Sequence, residues 1–188
     1  MGLWQALYGH PRYPILGPVP PAREGQLFAD ADGFRWRVRG YTEWVEGRPF
    51  ADLAGFLAYL ERKATQARAE TPALPADFGA RLAHARSLLG HTVIAFPYMG
   101  LGLDSLYQLA GWDLMAQAVV ARPQAIADYL RARAGHSVAL VHLYAEYLPA
   151  RLCPVALIHS DLASNTGLLL SPAFLRAALL PAVRRVVA

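Results

Sequence analysis

Polar chemistry in this chain is concentrated in one stretch near the C-terminus. Pro154-Val-Ala-Leu-Ile-His159 is a short apolar run, Ser160-Asp-Leu-Ala-Ser-Asn-Thr-Gly167 is a polar loop, and Ser171-Pro172 opens a capped helix. The loop gathers a carboxylate (Asp161), two hydroxyls (Ser164, Thr166), an amide (Asn165) and a glycine (Gly167). In a parallel α/β protein, ligands sit where strand ends meet such loops. Asp161 directly follows the apolar run. There it can orient a substrate or move a proton, or it can cap backbone N–H groups; the fold reading below favours the site role. Ser164 and Asn165 divide evenly between ligand contact and turn stabilisation. Tyr98 stands in an equivalent place, just after the apolar run Thr92-Val-Ile-Ala-Phe96. Tyr107 fits equally a site or a core aromatic at helical spacing.

Other chemically capable residues carry less. Cys153 is the one cysteine, so no internal disulfide forms, and a lone thiol fits a reducing cytosol. Its neighbours Leu152 and Pro154 suit a packed thiol better than a nucleophile. His142 and Glu146 lie four apart on a helix, a metal-compatible spacing without a third ligand. His159 reads as a packed histidine at a strand end. Trp36, Trp44 and Trp112 read as core or interface aromatics. Asp30 and Asp32 flank a turn; Asp-Gly turn chemistry accounts for Asp32 and leaves Asp30 as the freer carboxylate.

The elements that must position these residues follow from periodicity. Residues 1–24 are rich in Pro and Gly and form an irregular lead-in; residues 25–188 form one domain. Asp32-Gly33 predicts a hairpin between Leu27-Phe28 and Phe34–Val38. Asp52 to Arg68 is helical, with Leu53, Phe56, Leu57, Leu60 and Ala64 at three- and four-residue steps. A second helix runs from about Phe78 to Leu89, stopped by Gly90. Leu103 to Val120 is helical with a break at Gly111. Pro123 starts a long helix at the position proline favours. Ser171-Pro172 starts the last helix, which Pro181 should kink or divide. The runs Val93–Phe96 and Val155–Ile158, separated by a long helix, predict parallel buried strands.

Composition narrows the class. The chain has 188 residues, 55% hydrophobic and 17% charged, with a formal net charge of +4. The apolar share is high for a free-standing domain. The positive charges are scattered, with no basic stripe interleaved with aromatics, so nucleic acid is not expected as a partner. No apolar run is long enough to span a bilayer, and the N-terminus lacks the pattern of a signal peptide. These readings place the chain in the cytoplasm.

The order of motifs resembles the uroporphyrinogen decarboxylase superfamily, in the uncharacterised branch related to cobalamin-dependent methyltransferases. The matching pieces are Asp30-Ala-Asp-Gly-Phe-Arg-Trp-Arg37, Gly47-Arg-Pro-Phe-Ala-Asp-Leu53, Leu106-Tyr-Gln-Leu-Ala-Gly-Trp112, Arg122-Pro123, and the segment Ser160–Pro172 followed by Phe174 and Pro181. The resemblance implies an α/β fold, a partial (β/α)8 barrel covering roughly its N-terminal half and rich in helix. It places the family's early active-site aspartate at Asp30 or Asp32; with Asp161 from its place after the apolar run, the catalytic carboxylates are expected at Asp30 and Asp161. Tyr98, Tyr107, Ser164 and Asn165 would contact a tetrapyrrole or a methylated compound, and Tyr107 and Ser164 match substrate-facing positions of the decarboxylases. The decarboxylase version requires no cofactor. The decarboxylases open with an arginine-rich segment, whereas Arg12 and Arg23 here stand isolated among prolines. The methyltransferases hold zinc through His-x-Cys and a further Cys; this chain has no His-x-Cys, so no metal site is expected. A full barrel takes about 250 residues, so a partner copy or a further half barrel is expected to complete the sheet. The alternative is a non-catalytic truncated barrel that serves as an interaction partner.

Overall fold

The computed structural model describes residues 24–39, 42–74, 76–89, 100–147, 158 and 160–188. The first described element is a three-stranded antiparallel meander of β1 (Leu27–Ala29), β2 (Arg35–Arg39) and β3 (Thr42–Gly47). Leu27 pairs with Arg37 and Ala29 with Arg35, so the Asp32-Gly33 hairpin forms where its turn chemistry predicts. Gly33 takes φ +87° in that turn, and its N–H donates to the Asp30 carbonyl at 3.1 Å. A bulge between Arg35 and Trp36 shifts the β2–β3 register. Alternation then sets the faces. Trp36 and Val45 pack against the core, while Arg37 points out to an ion pair with Glu46.

The inner face of the meander rests on α1 (Leu53–Ala69). Asp52 caps this helix: its carboxylate accepts from the Gly55 N–H at 2.8 Å. Phe56, Tyr59, Leu60, Ala64 and Ala67 form its buried stripe. The Phe34 ring meets Tyr59 edge-on at 5.5 Å and 80°, and Phe50 lies 5.4 Å from Phe56. Aromatic pairs at such angles each add about 0.5–1.5 kcal/mol beyond the area they bury. This cluster locks the hairpin to the helix.

The helical layer continues with α2 (Phe78–Leu89), α3 (Leu103–Ala110), α4 (Trp112–Ala121) and α5 (Pro123–Tyr147). Gly111 separates α3 from α4, and Pro123 is the first residue of α5, both as the sequence predicts. α5 is 25 residues long, and at 1.5 Å per residue it spans about 38 Å. α1 packs along it, and Leu60, Ala64, Ile126, Leu130 and Ala134 share the main core. A smaller cluster joins Phe78 and Leu82 of α2 to Tyr144 of α5, with Ile158 packed against it.

A short antiparallel hairpin of β4 (Ala163–Ser164) and β5 (Gly167–Leu168) precedes the C-terminal helix. That helix has three parts: α6 (Pro172–Phe174), a π-helical stretch (Leu175–Leu179) and α7 (Leu180–Val187). Ser171 caps its start, accepting from the Phe174 N–H at 3.2 Å. Pro181 neither stops the helix nor ends it. Proline removes an N–H and crowds the carbonyl four residues back. The π stretch just before it, where the Leu180 N–H reaches the Leu175 carbonyl, widens the helix at that point.

The described architecture is therefore mixed α/β and rich in helix, with small sheets. Both sheets are antiparallel, because their connections are too short for the crossover that parallel pairing needs. Val93–Phe96 and the Val155–Leu157 part of the second run lie outside the described residues, as does most of the 1–24 lead-in. Among the described residues no helix is long and apolar enough to cross a membrane.

Candidate functional site

The turn before α3 is the anchor of the site. Leu101 and Gly102 are buried, and Gly102 precedes the helix with φ +81°. A Cβ there would also stand 2.8 Å from the Tyr129 hydroxyl. Glycine is thus required twice, by the backbone angle and by the phenol from α5 that lies over it. Asp104 follows in the first turn of α3, where the helix dipole favours a carboxylate. It is 7% exposed. The Ser160 hydroxyl, from the polar loop, donates to its Oδ1 at 3.4 Å. The loop and the start of α3 therefore meet.

Tyr107, one turn further along α3, lies in the field of both. Burial is the first cause that raises its pKa, followed by the negative charge of Asp161 and then that of Asp104, with a Gln108 hydrogen bond opposing. Tyr107 also stacks on Trp112, with centroids 4.5 Å apart and planes at 14°. Trp112, 44% exposed, lines a shallow cleft of about 690 Å³ with Glu46, Arg48, Phe50, Gly111 and Asp113. Arg48 donates from Nε to the Leu109 carbonyl at 2.6 Å, closing the end of α3.

Two further phenols extend the array inward. Tyr129 is 8% exposed, and its pKa is raised by burial first, with Asp104 and Asp32 adding and Arg133 opposing. Tyr59 is 5% exposed, and its pKa is also raised by burial first, then by Asp32, Tyr129 and Asp30, with Arg62 opposing the rise. Tyr129 reaches the Gly102 turn and Tyr59 lies against Phe34 of the hairpin, so both phenols are packed inside the main core.

The remaining residues singled out by sequence take the following places. Asp30 accepts from the Asp32 and Phe34 N–H groups, each at 3.0 Å, and from Trp36 Nε1 at 2.8 Å. Both of its oxygens serve the hairpin. Asp32, expected to act in the turn alone, reaches α1 instead: Lys63 Nζ lies 3.1 Å away and Arg62 3.6 Å. Ser164 and Asn165 sit exposed at the β4–β5 turn. The Ser164 hydroxyl bonds Thr166 Oγ1 at 3.0 Å and accepts from the Thr166 N–H at 3.3 Å, which is turn chemistry. Asp161 is exposed. Tyr98, Cys153 and His159 lie outside the described residues. His142 and Glu146 are exposed on α5, and among the described residues no group of three His, Cys, Asp or Glu converges for a metal.

Sequence reasoning missed Asp104, Ser160, Tyr59 and Tyr129. Asp104 carried one signal, the Gly100-Leu-Gly-Leu-Asp104 context of a glycine-flanked helix start. Tyr59 and Tyr129 fall on apolar helix faces, where periodicity reads them as core. No family model matches the chain, and no curated protein or solved structure matches it.

Proposed function

We propose that this chain is part of a decarboxylase-type barrel enzyme of the uroporphyrinogen decarboxylase kind, acting on a small electron-rich substrate. In this reading the described helices and the segments around 92–99 and 151–159 belong to a partial (β/α)8 barrel in the cytoplasm. The substrate is a tetrapyrrole or a methylated compound. The array of Asp104, Asp161, Tyr107 and Tyr129 forms one wall of its site. A carboxylate stabilises positive charge on the protonated ring, Asp161 being placed for this, and Asp30 supports the wall from the hairpin. Tyr107 donates a hydrogen bond to a polar substrate group. Ser164 and Asn165 approach the ligand from the hairpin tip. The decarboxylation needs no cofactor, because the substrate ring itself takes up the electrons.

One observation carries the reading: the Ser160 hydroxyl, next to Asp161 in the polar loop, donates to Asp104 Oδ1 in the first turn of α3 at 3.4 Å, one turn before Tyr107. The loop and the start of α3 are two segments that the motif order assigns to the same site. The test is product analysis after incubation with uroporphyrinogen and, separately, with methylated thiols and amines. Loss of substrate carboxylates, abolished in Asp161→Asn, supports the decarboxylase form. Methyl transfer from the second group would support the methyltransferase form. No turnover and no binding of either class contradicts both.

The interaction reading has its own observation. Leu27, Arg37 and Trp44 form one cross-strand row on the outer face of the meander, with Leu27 57% and Trp44 58% exposed. Such a row suits contact with a second copy or a further half barrel. Light scattering that gives a monomer at every concentration removes the second copy.

A further inference from the structure

A second groove, of about 500 Å³, runs between the C-terminal end of α1, the middle of α5 and α7. Arg68, Glu70, Arg131, His136 and Arg185 line it. The His136 side chain is 11% exposed, and both Nδ1 and Nε2 are buried with no hydrogen-bond partner among the described residues. A buried imidazole normally has a partner at each nitrogen. Glu70 Oε2 stands 3.8 Å from Nε2, beyond hydrogen-bond reach, on a side chain 52% exposed. The Nε of Arg133 is likewise buried without a partner among the described residues.

The charges around the imidazole are predominantly positive and largely uncompensated. Asp128 is held by Arg131 and by the Gln124 amide. Arg68 and Arg185 have no carboxylate partner among the described residues. Arg185 crosses the bare backbone of Gly135, with Nη2 3.6 Å from where a Cβ would stand. This brings a guanidinium from α7 to the residue next to His136. Guanidinium groups present forked donors that match tetrahedral oxyanions.

We propose that this groove binds a phosphate-type oxyanion carried by a small metabolite, held by His136, Arg185 and Arg68. A cation is repelled by the guanidinium groups, and an apolar ligand leaves both imidazole nitrogens unsatisfied. Water satisfies the imidazole alone, whereas an oxyanion serves the imidazole and both guanidinium groups. Burial first, then the charge of Arg133, hold the His136 pKa below the usual histidine range, with Glu70 opposing. Arg68 and Glu70 from α1, Arg131, Arg133 and Asp128 from α5, and Arg185 from α7 are the charged groups around it. A bound dianion favours the imidazolium, so affinity rises as pH falls.

The test is a titration of the intact chain with sodium sulfate at ionic strength held constant with sodium chloride. The readout is the His136 ring C–H resonance, identified as the one missing from His136→Gln. Sulfate keeps its charge between about pH 5.5 and pH 8, so any pH dependence belongs to the protein. The expected result is a saturable shift that tightens toward the acid end. Arg185→Glu, at an exposed position that leaves the fold intact by circular dichroism, weakens it by about tenfold or more. Arg68→Glu is the second variant and weakens it in the same direction. A folded wild-type chain with no saturable shift overturns the proposal. So does an equal affinity in Arg185→Glu and Arg68→Glu, which would mark an adventitious ion only.

Discussion

Tyr59, Tyr107 and Tyr129 are the residues through which the fold responds to high pH. The unfolded chain ionises its tyrosines near pH 10. In the fold their pKa values are raised, by burial first and then by aspartates. Above about pH 10 the unfolded state therefore releases protons that the folded state keeps, and stability falls as pH rises through the raised values. Below that range these groups add no pH dependence. Urea unfolding midpoints should accordingly decline above about pH 10, and Tyr129→Phe should flatten the decline. A decline unchanged in Tyr129→Phe and Tyr59→Phe would assign it to other groups. The same residues mark the limit of sequence reading. Asp161 and Tyr107 stand out in the sequence as candidates because the polar loop and the motif order name them. Tyr59 and Tyr129 read as core from their apolar helix faces, and the structure buries both. Asp30 looked free in sequence, and only the geometry reveals that Trp36 and two backbone N–H groups occupy it.

The element boundaries were more legible than the site, since local chemistry fixes them. Asp52, Gly111, Pro123 and Ser171 all act where cap and breaker preferences put them. Ser171→Ala should cost about 1 kcal/mol in unfolding free energy, the usual worth of an N-cap hydroxyl. A change near zero would show that the tertiary packing of Phe174 holds the helix start by itself. The π stretch before Pro181 was not legible, because it answers a backbone conflict that no side-chain pattern announces. Gly102 offers a sharper test. Alanine there must adopt φ +81°, at a cost of about 1–2 kcal/mol, and must also displace the Tyr129 hydroxyl. Denaturant unfolding should therefore find Gly102→Ala less costly in a Tyr129→Phe background, where the atom met at 2.8 Å is gone. Equal costs in the two backgrounds would mean the phenol moves freely.

For the whole molecule, the described residues form an antiparallel meander locked by aromatics to a helical layer, with α1 and α5 at its centre. Hydrophobic periodicity made the helices legible, and Asp32-Gly33 made the hairpin legible. Parallel strand pairing was inferred from two apolar runs that lie outside the described residues, so the barrel belongs to the proposal and not to the description. The Ser160–Asp104 hydrogen bond, which brings the polar loop to the start of α3, ties that proposal to the described fold. The most direct measurement is the equilibrium binding of a reduced tetrapyrrole, followed by fluorescence of Trp112, which stacks on Tyr107. The account predicts saturable quenching that is lost in Trp112→Phe and weakened about tenfold in both Asp161→Asn and Tyr107→Phe, the cost of one hydrogen bond to a charged or desolvated group. Quenching that does not saturate, or an isotherm that both variants leave unchanged, would contradict it.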